Sequence, residues 1–107
     1  MSQIALEIPN ILAILPSQER NRLIRSGVYE ATRIRIRQLE KEISESKKNI
    51  LHFQNYYGVS FAQFEAETLP ELDTFQTHED YNDWFFWQTV LTKNENLLAK
   101  VNRIHAN

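Results

Sequence analysis

Three groups of residues in this chain could do chemistry. His78, Glu79, Asp80 and Asp83 crowd the start of a helix-forming stretch, and spacings of three and four residues can gather imidazole and carboxylate ligands around a cation. Acidic side chains also collect at the first turn of any helix, where the dipole presents its positive end, so the cluster has an explanation without a metal. Arg20, Arg22, Arg25, Arg33, Arg35 and Arg37 fall within eighteen residues, and the guanidinium fork suits phosphate oxygens. The third group is the run DYNDWFFWQ, with Tyr81, Trp84, Phe85 and Trp87. Such rings dominate protein-binding hot spots, and at helical spacing they equally make a core.

No catalytic pattern joins these groups. The chain has no cysteine, which removes thiolate chemistry and a disulfide framework. It contains no GxSxG, no glycine-rich phosphate loop and no HExxH, and its carboxylates are those of solvated helix faces. With only two glycines, a close backbone approach to a phosphate or cofactor is hard to build. The expectation is a protein that is not an enzyme and holds no cofactor or metal.

Charge is unevenly placed. Residues 1–50 carry nine Lys or Arg against six Asp or Glu, whereas residues 51–107 carry three against eight. From His52 to Thr92 there are seven acidic residues and no Lys or Arg. This polarity implies head-to-tail complementarity within or between chains, or a basic end that meets a polyanion. No apolar run approaches the roughly 20 residues that span a bilayer, and the N-terminus lacks the basic flank of a secretory signal. A cytoplasmic protein without a membrane partner is expected.

The elements that must position these residues are mostly helical. Gln3 to Ile8 alternates apolar and polar residues before Pro9, the pattern of a half-buried strand, or else of an extended arm lying on helices. Asn10 opens a short turn, ILAIL, and Pro16-Ser17 opens a second short helix, SQERNRLIRS. Gly27 either closes that helix or is passed through as a kink. A long helix follows from Val28 to Tyr57, with Tyr29, Ile36, Ile43, Ile50 and Tyr57 in one heptad row and Thr32, Leu39, Ser46 and Phe53 in the next. That narrow apolar seam must lie against another helix. Gly58 stops it, Ser60 and Gln63 fit a capping box, and a small helix packs Phe61 and Phe64.

The last helix starts with Thr77 as its cap. Its seam reads Trp84, Trp87, Leu91, Asn94, Leu98, Val101 and His105, while Phe85, Val90, Leu97 and Ile104 widen the stripe. A stripe that wide must face more than one neighbour. The fold class is therefore mainly α, a single domain. Residues 1–27 form an N-terminal strand or arm with short helices, and residues 28–107 form a long antiparallel hairpin whose rings seal one end. A homodimer is expected, with the strand or the long-helix seam at its interface. Arg33, Arg35 and Arg37 either pair with acids across the seam or extend a nucleic-acid patch centred on Arg20, Arg22 and Arg25.

Three pieces of the chain support a resemblance: Leu6-Glu7-Ile8-Pro9, the stretch Tyr57-Gly58-Val59-Ser60-Phe61-Ala62-Gln63-Phe64-Glu65, and Glu79-Asp80-Tyr81-Asn82-Asp83-Trp84. In that order they resemble small prokaryotic antitoxins of two-gene toxin–antitoxin pairs. The resemblance implies neutralisation of a cognate toxin by direct binding, often with DNA binding by a dimeric N-terminal part. The inserted ILAIL and Ala5 depart from the ribbon-helix-helix pattern many antitoxins share. Tyr81, Trp84, Phe85 and Trp87 are the expected partner-binding residues. The competing reading is a self-associating helical scaffold with no nucleic-acid role.

Overall fold

The computed structural model describes residues 10–106, and the strand expected at Gln3–Ile8 lies outside them. Among the described residues every regular element is helical. A four-residue helix, α1 (Asn10–Ala13), precedes Pro16, which stands at the N-cap of α2 (Ser17–Tyr57). Three short helical pieces make the turn: α3 (Phe61–Gln63), a π-helical turn (Phe64–Thr68) and α4 (Leu69–Glu71). The chain then returns as α5 (Phe75–Ala106). None of the described helices is long and apolar enough to cross a membrane.

The second short helix expected before the hairpin does not stand alone. The helix runs unbroken from Ser17 through Ser26-Gly27 to Tyr57, 41 residues in all, about 61 Å at 1.5 Å per residue. A β-carbon at Gly27 would meet nothing within 4 Å, so no tertiary contact forces a break there. One glycine costs a helix about 1 kcal/mol relative to alanine, too little to end one with good formers on both sides. Gly58 is different: its φ of 70° and ψ of 19° are left-handed, and its N–H donates to Gln54 O. This is the αL stop that the residue type permits.

The heptad seam of α2 is filled by α5 in antiparallel order. Thr32 meets His105, Glu42 meets Asn94, Phe53 stacks near Trp84 and Tyr57 meets Asp80. Leu39, Ile43, Ser46, Ile50 and Phe53 are buried on one helix, and Thr77, Trp84, Asn94 and Val101 on the other. This corrects one expectation directly. A seam already covered by the chain's own α5 is not free to join two copies.

Polar residues punctuate the seam. Asn94, almost fully buried, donates from Nδ2 to Glu42 Oε1 at 3.1 Å, and buried Ser46 returns its hydroxyl to Glu42 O at 2.9 Å. At the far end Thr32 Oγ1 lies 2.9 Å from His105 Nδ1, whose ring stacks on Tyr29 with centroids 4.3 Å apart. Thr32 also donates to the carbonyls of Val28 and Tyr29. With its single hydrogen so committed, it accepts from His105, which assigns that ring the Nδ1–H tautomer. Each polar layer would be orphaned by a slip in register, so these layers hold the helices to one alignment.

The rings seal the hairpin at the other end. Trp84 is wholly buried, with ring centroids 5.1 Å from Phe64, 5.4 Å from Phe61 and 5.5 Å from Phe53. Its indole Nε1–H has no oxygen or nitrogen partner and lies among aromatic rings, where weak N–H···π contact is what remains to it. Ser60 caps α3, accepting from the Gln63 N–H at 3.2 Å. The π-helical turn carries the chain into Pro70: Leu69 N–H reaches back to Phe64 O, and Pro70, which has no N–H, follows. The cap of α5 is Thr74, not Thr77. Thr74 Oγ1 accepts from Thr77 N–H at 3.1 Å and Thr77 Oγ1 accepts from Thr74 N–H at 3.0 Å, a reciprocal box that starts the helix earlier.

Candidate interaction surfaces

The hairpin is a rod of 68 × 26 × 16 Å with unequal arms. Because α5 is 32 residues long against 41 in α2, the first dozen residues of α2 extend past His105, roughly 18 Å of helix at 1.5 Å per residue. Arg20, Arg22 and Arg25 stand on this overhang. Among the described residues none of the three is in an ion pair. A notch between the overhang and the end of α5 is lined by Ile24, Arg25, Val28, Tyr29 and Ile104. The remaining arginines do not pair across the seam: Arg33 bonds Glu30 at 3.1 Å and Arg35 approaches Glu42 at 3.7 Å, all on α2. Both pairs are about half exposed, so each is worth little.

At the ring-sealed head the four aromatic candidates divide. Trp84 is inside and acts through packing. Tyr81 and Trp87 are half-buried, and Phe85 is 48% exposed. Phe61, Tyr81 and Phe85 form one cluster, with centroids 5.5 Å apart for Phe61–Tyr81 and 6.1 Å for Tyr81–Phe85. Tyr81 donates its hydroxyl to Glu65 Oε2 at 2.6 Å, and that hydrogen bond is the main reason its pKa is raised. A shallow groove continues from Phe61 and Phe85 along Gln88, Thr89, Thr92 and Lys93.

The acidic residues of the head are spread out rather than convergent. Asp80 turns inward, accepting from the Tyr57 hydroxyl and from Gln76 at 2.8 Å. Burial and the Asp80 carboxylate together push the Tyr57 hydroxyl far above the ordinary tyrosine range. His78 turns outward to Asp73 at 2.5 Å. The described residues include no group of three or more ligating side chains that could hold a metal ion.

Sequence reasoning missed Phe86. It is 56% exposed and stands one turn before Val90 on a flank of α5 away from Phe85; its helical spacing to Val90 was the available signal. Comparison with family models, with curated proteins and with solved structures yields no match.

Proposed function

We propose that this chain is a non-catalytic protein-interaction module, antitoxin-like in that it binds and blocks a partner protein through its head. One observation carries the reading. The Phe61–Tyr81–Phe85 cluster is a half-exposed aromatic face in a segment, residues 52–92, that has seven acidic residues and no Lys or Arg. Rigid rings supply contact area at low entropic cost, and the excess of carboxylates in that segment favours a basic partner over an acidic one. Trp84 holds this face from beneath, stacked on Phe53 of α2, edge-on to Phe61 of α3 and tilted against Phe64 of the π-helical turn.

The experiment is co-expression with the product of the adjacent gene. The expected result is co-purification, relief of that protein's growth arrest, and loss of both with Phe85→Glu while helicity is kept. An adjacent product that neither co-purifies nor arrests growth overturns the toxin-blocking reading and leaves the self-associating scaffold.

A second reading, DNA binding by the N-terminal part, is favoured by the unpaired arginines of the overhang. It predicts a duplex-DNA mobility shift that weakens steeply with salt and is lost when Arg20, Arg22 and Arg25 become Ala. No shift at low salt removes it.

A further inference from the structure

The exposed face of the head changes character along its length. Tyr81 and Phe85 stand one turn apart on α5, and Phe61 of α3 lies against both rings. At the Tyr81 end the phenol hydroxyl donates to Glu65 Oε2 at 2.6 Å, which fixes an exposed carboxylate beside the rings. At the other end the groove from Phe61 and Phe85 runs to Lys93, which is exposed too. Lys93 lies eight residues after Phe85, about 12 Å along the helix at 1.5 Å per residue. Among the described residues neither Glu65 nor Lys93 is in an ion pair. The face therefore runs from a carboxylate, over rings, past Gln88 and Thr89, to an ammonium.

Each station has its own chemical preference. A carboxylate beside exposed rings suits a guanidinium, which lies on aromatic faces and forks onto carboxylate oxygens. Phe85, 48% exposed, offers apolar contact, and Lys93 attracts an anion. The surface of α5 presents no free backbone donors or acceptors. An extended segment laid on it would cover its own backbone groups without partners, whereas a helix satisfies them internally.

We infer that the head takes an amphipathic helix of the partner protein, with an arginine on the exposed rings beside Glu65, an apolar side chain one turn on over Phe85, and a carboxylate reaching Lys93. The inference rests on the head as the partner-binding face and adds to it. One cation and one anion at a set spacing define the occupant, rather than net charge. A helix acidic throughout is repelled at Glu65, and one basic throughout is repelled at Lys93. Tyr81 serves the site twice, since its ring is part of the floor and its hydroxyl holds Glu65 in place.

The probe is a synthetic alanine-based helical peptide carrying Arg, Leu four residues later and Glu seven residues after that, so that all three share a face. Two controls replace its Arg by citrulline, which keeps the shape without the charge, or its Glu by Gln. Binding to the full chain is followed by amide NMR shifts, expected around Phe61, Glu65, Phe85 and Lys93. The arginine peptide should bind about three- to tenfold more tightly than the citrulline peptide. Glu65→Gln, at an exposed position, should abolish that preference with helicity kept, and Lys93→Gln should abolish the preference for Glu over Gln in the peptide. Equal affinity for the arginine and citrulline peptides overturns the inference, and so does a preference that survives Glu65→Gln. If both peptides bind equally and Phe85→Glu releases both, the head remains a binding face and only the charge pattern falls. No shift with either peptide at about 5 mM also overturns the inference, and co-purification with the adjacent gene's product then judges the head separately.

Discussion

The same substitution at the two glycines should act with opposite sign, because one lies inside α2 and the other ends it. An added β-carbon meets nothing within 4 Å at either Gly27 or Gly58, so packing drops out and only backbone preference remains. At Gly27 the backbone is helical, and alanine should gain about 0.8–1 kcal/mol of helix stability. At Gly58 the φ of 70° is left-handed, and alanine should lose about 1–2 kcal/mol. Unfolding entropy near 2.1 cal/mol/K per residue makes 1 kcal/mol worth about 4–5 °C in Tm for a chain of this length. Gly58→Ala should therefore lower Tm by roughly 4–10 °C. Gly27 lies in the overhang, which opens with less free energy than the paired region, so part of its gain should appear as local order. Ellipticity at 222 nm should rise in Gly27→Ala, and amide exchange of residues 20–30 should slow, with Tm up by about 4 °C or less. If Gly27→Ala lowers both ellipticity and Tm, the chain breaks or bends at Ser26-Gly27 and the continuous 41-residue helix is refuted.

Two further predictions concern the head. Trp84→Ala removes the ring on which three segments converge and should cost about 3–5 kcal/mol. Trp84→Phe should cost less than half as much, since it deletes a buried N–H with no polar partner while keeping a ring in place; equal losses by chemical denaturation would show that the indole is not packed as described. Tyr57 stays protonated in the folded chain at pH values where the unfolded chain, with an ordinary value of 10.0, ionises. Above about pH 10 the unfolded state therefore binds fewer protons than the folded one, and stability falls as pH rises. Below that value the contribution is fully present. Urea midpoints from pH 8 to 11 should decline more steeply for the native sequence than for Tyr57→Phe, and parallel slopes would contradict the Tyr57–Asp80 bond.

The hairpin was legible because both of its helices state their own period. Ile36, Leu39, Ile43, Ile50 and Phe53 can share a face only on a helix, and the heptad row from Trp84 to His105 needs a partner of that kind. Gly58 and Ser60 are local signals and act locally, one as an αL stop and the other as a side-chain acceptor, so they read correctly without tertiary knowledge. Gly27 and Thr77 read less well for the same reason. A single glycine is a weak term that long neighbours override, and which of two threonines three residues apart becomes the cap is settled by the turn that precedes them.

The surfaces were harder to read, because composition does not say which rings a fold will bury. The run from Tyr81 to Trp87 has five aromatic residues in seven, yet tertiary packing buries Trp84 completely, half-buries Tyr81 and leaves Phe85 and Phe86 outside. Heptad spacing alone determined that α2 and α5 are amphipathic and must pair, because helical periodicity is a property of the chain itself. Only the tertiary structure decided that the α2 seam is satisfied within the chain, that α2 outruns α5 at the arginines, and that one flank of α5 stays open. Those outcomes depend on the antiparallel register, which is set between distant residues such as Glu42 and Asn94 and has no signature in either helix alone.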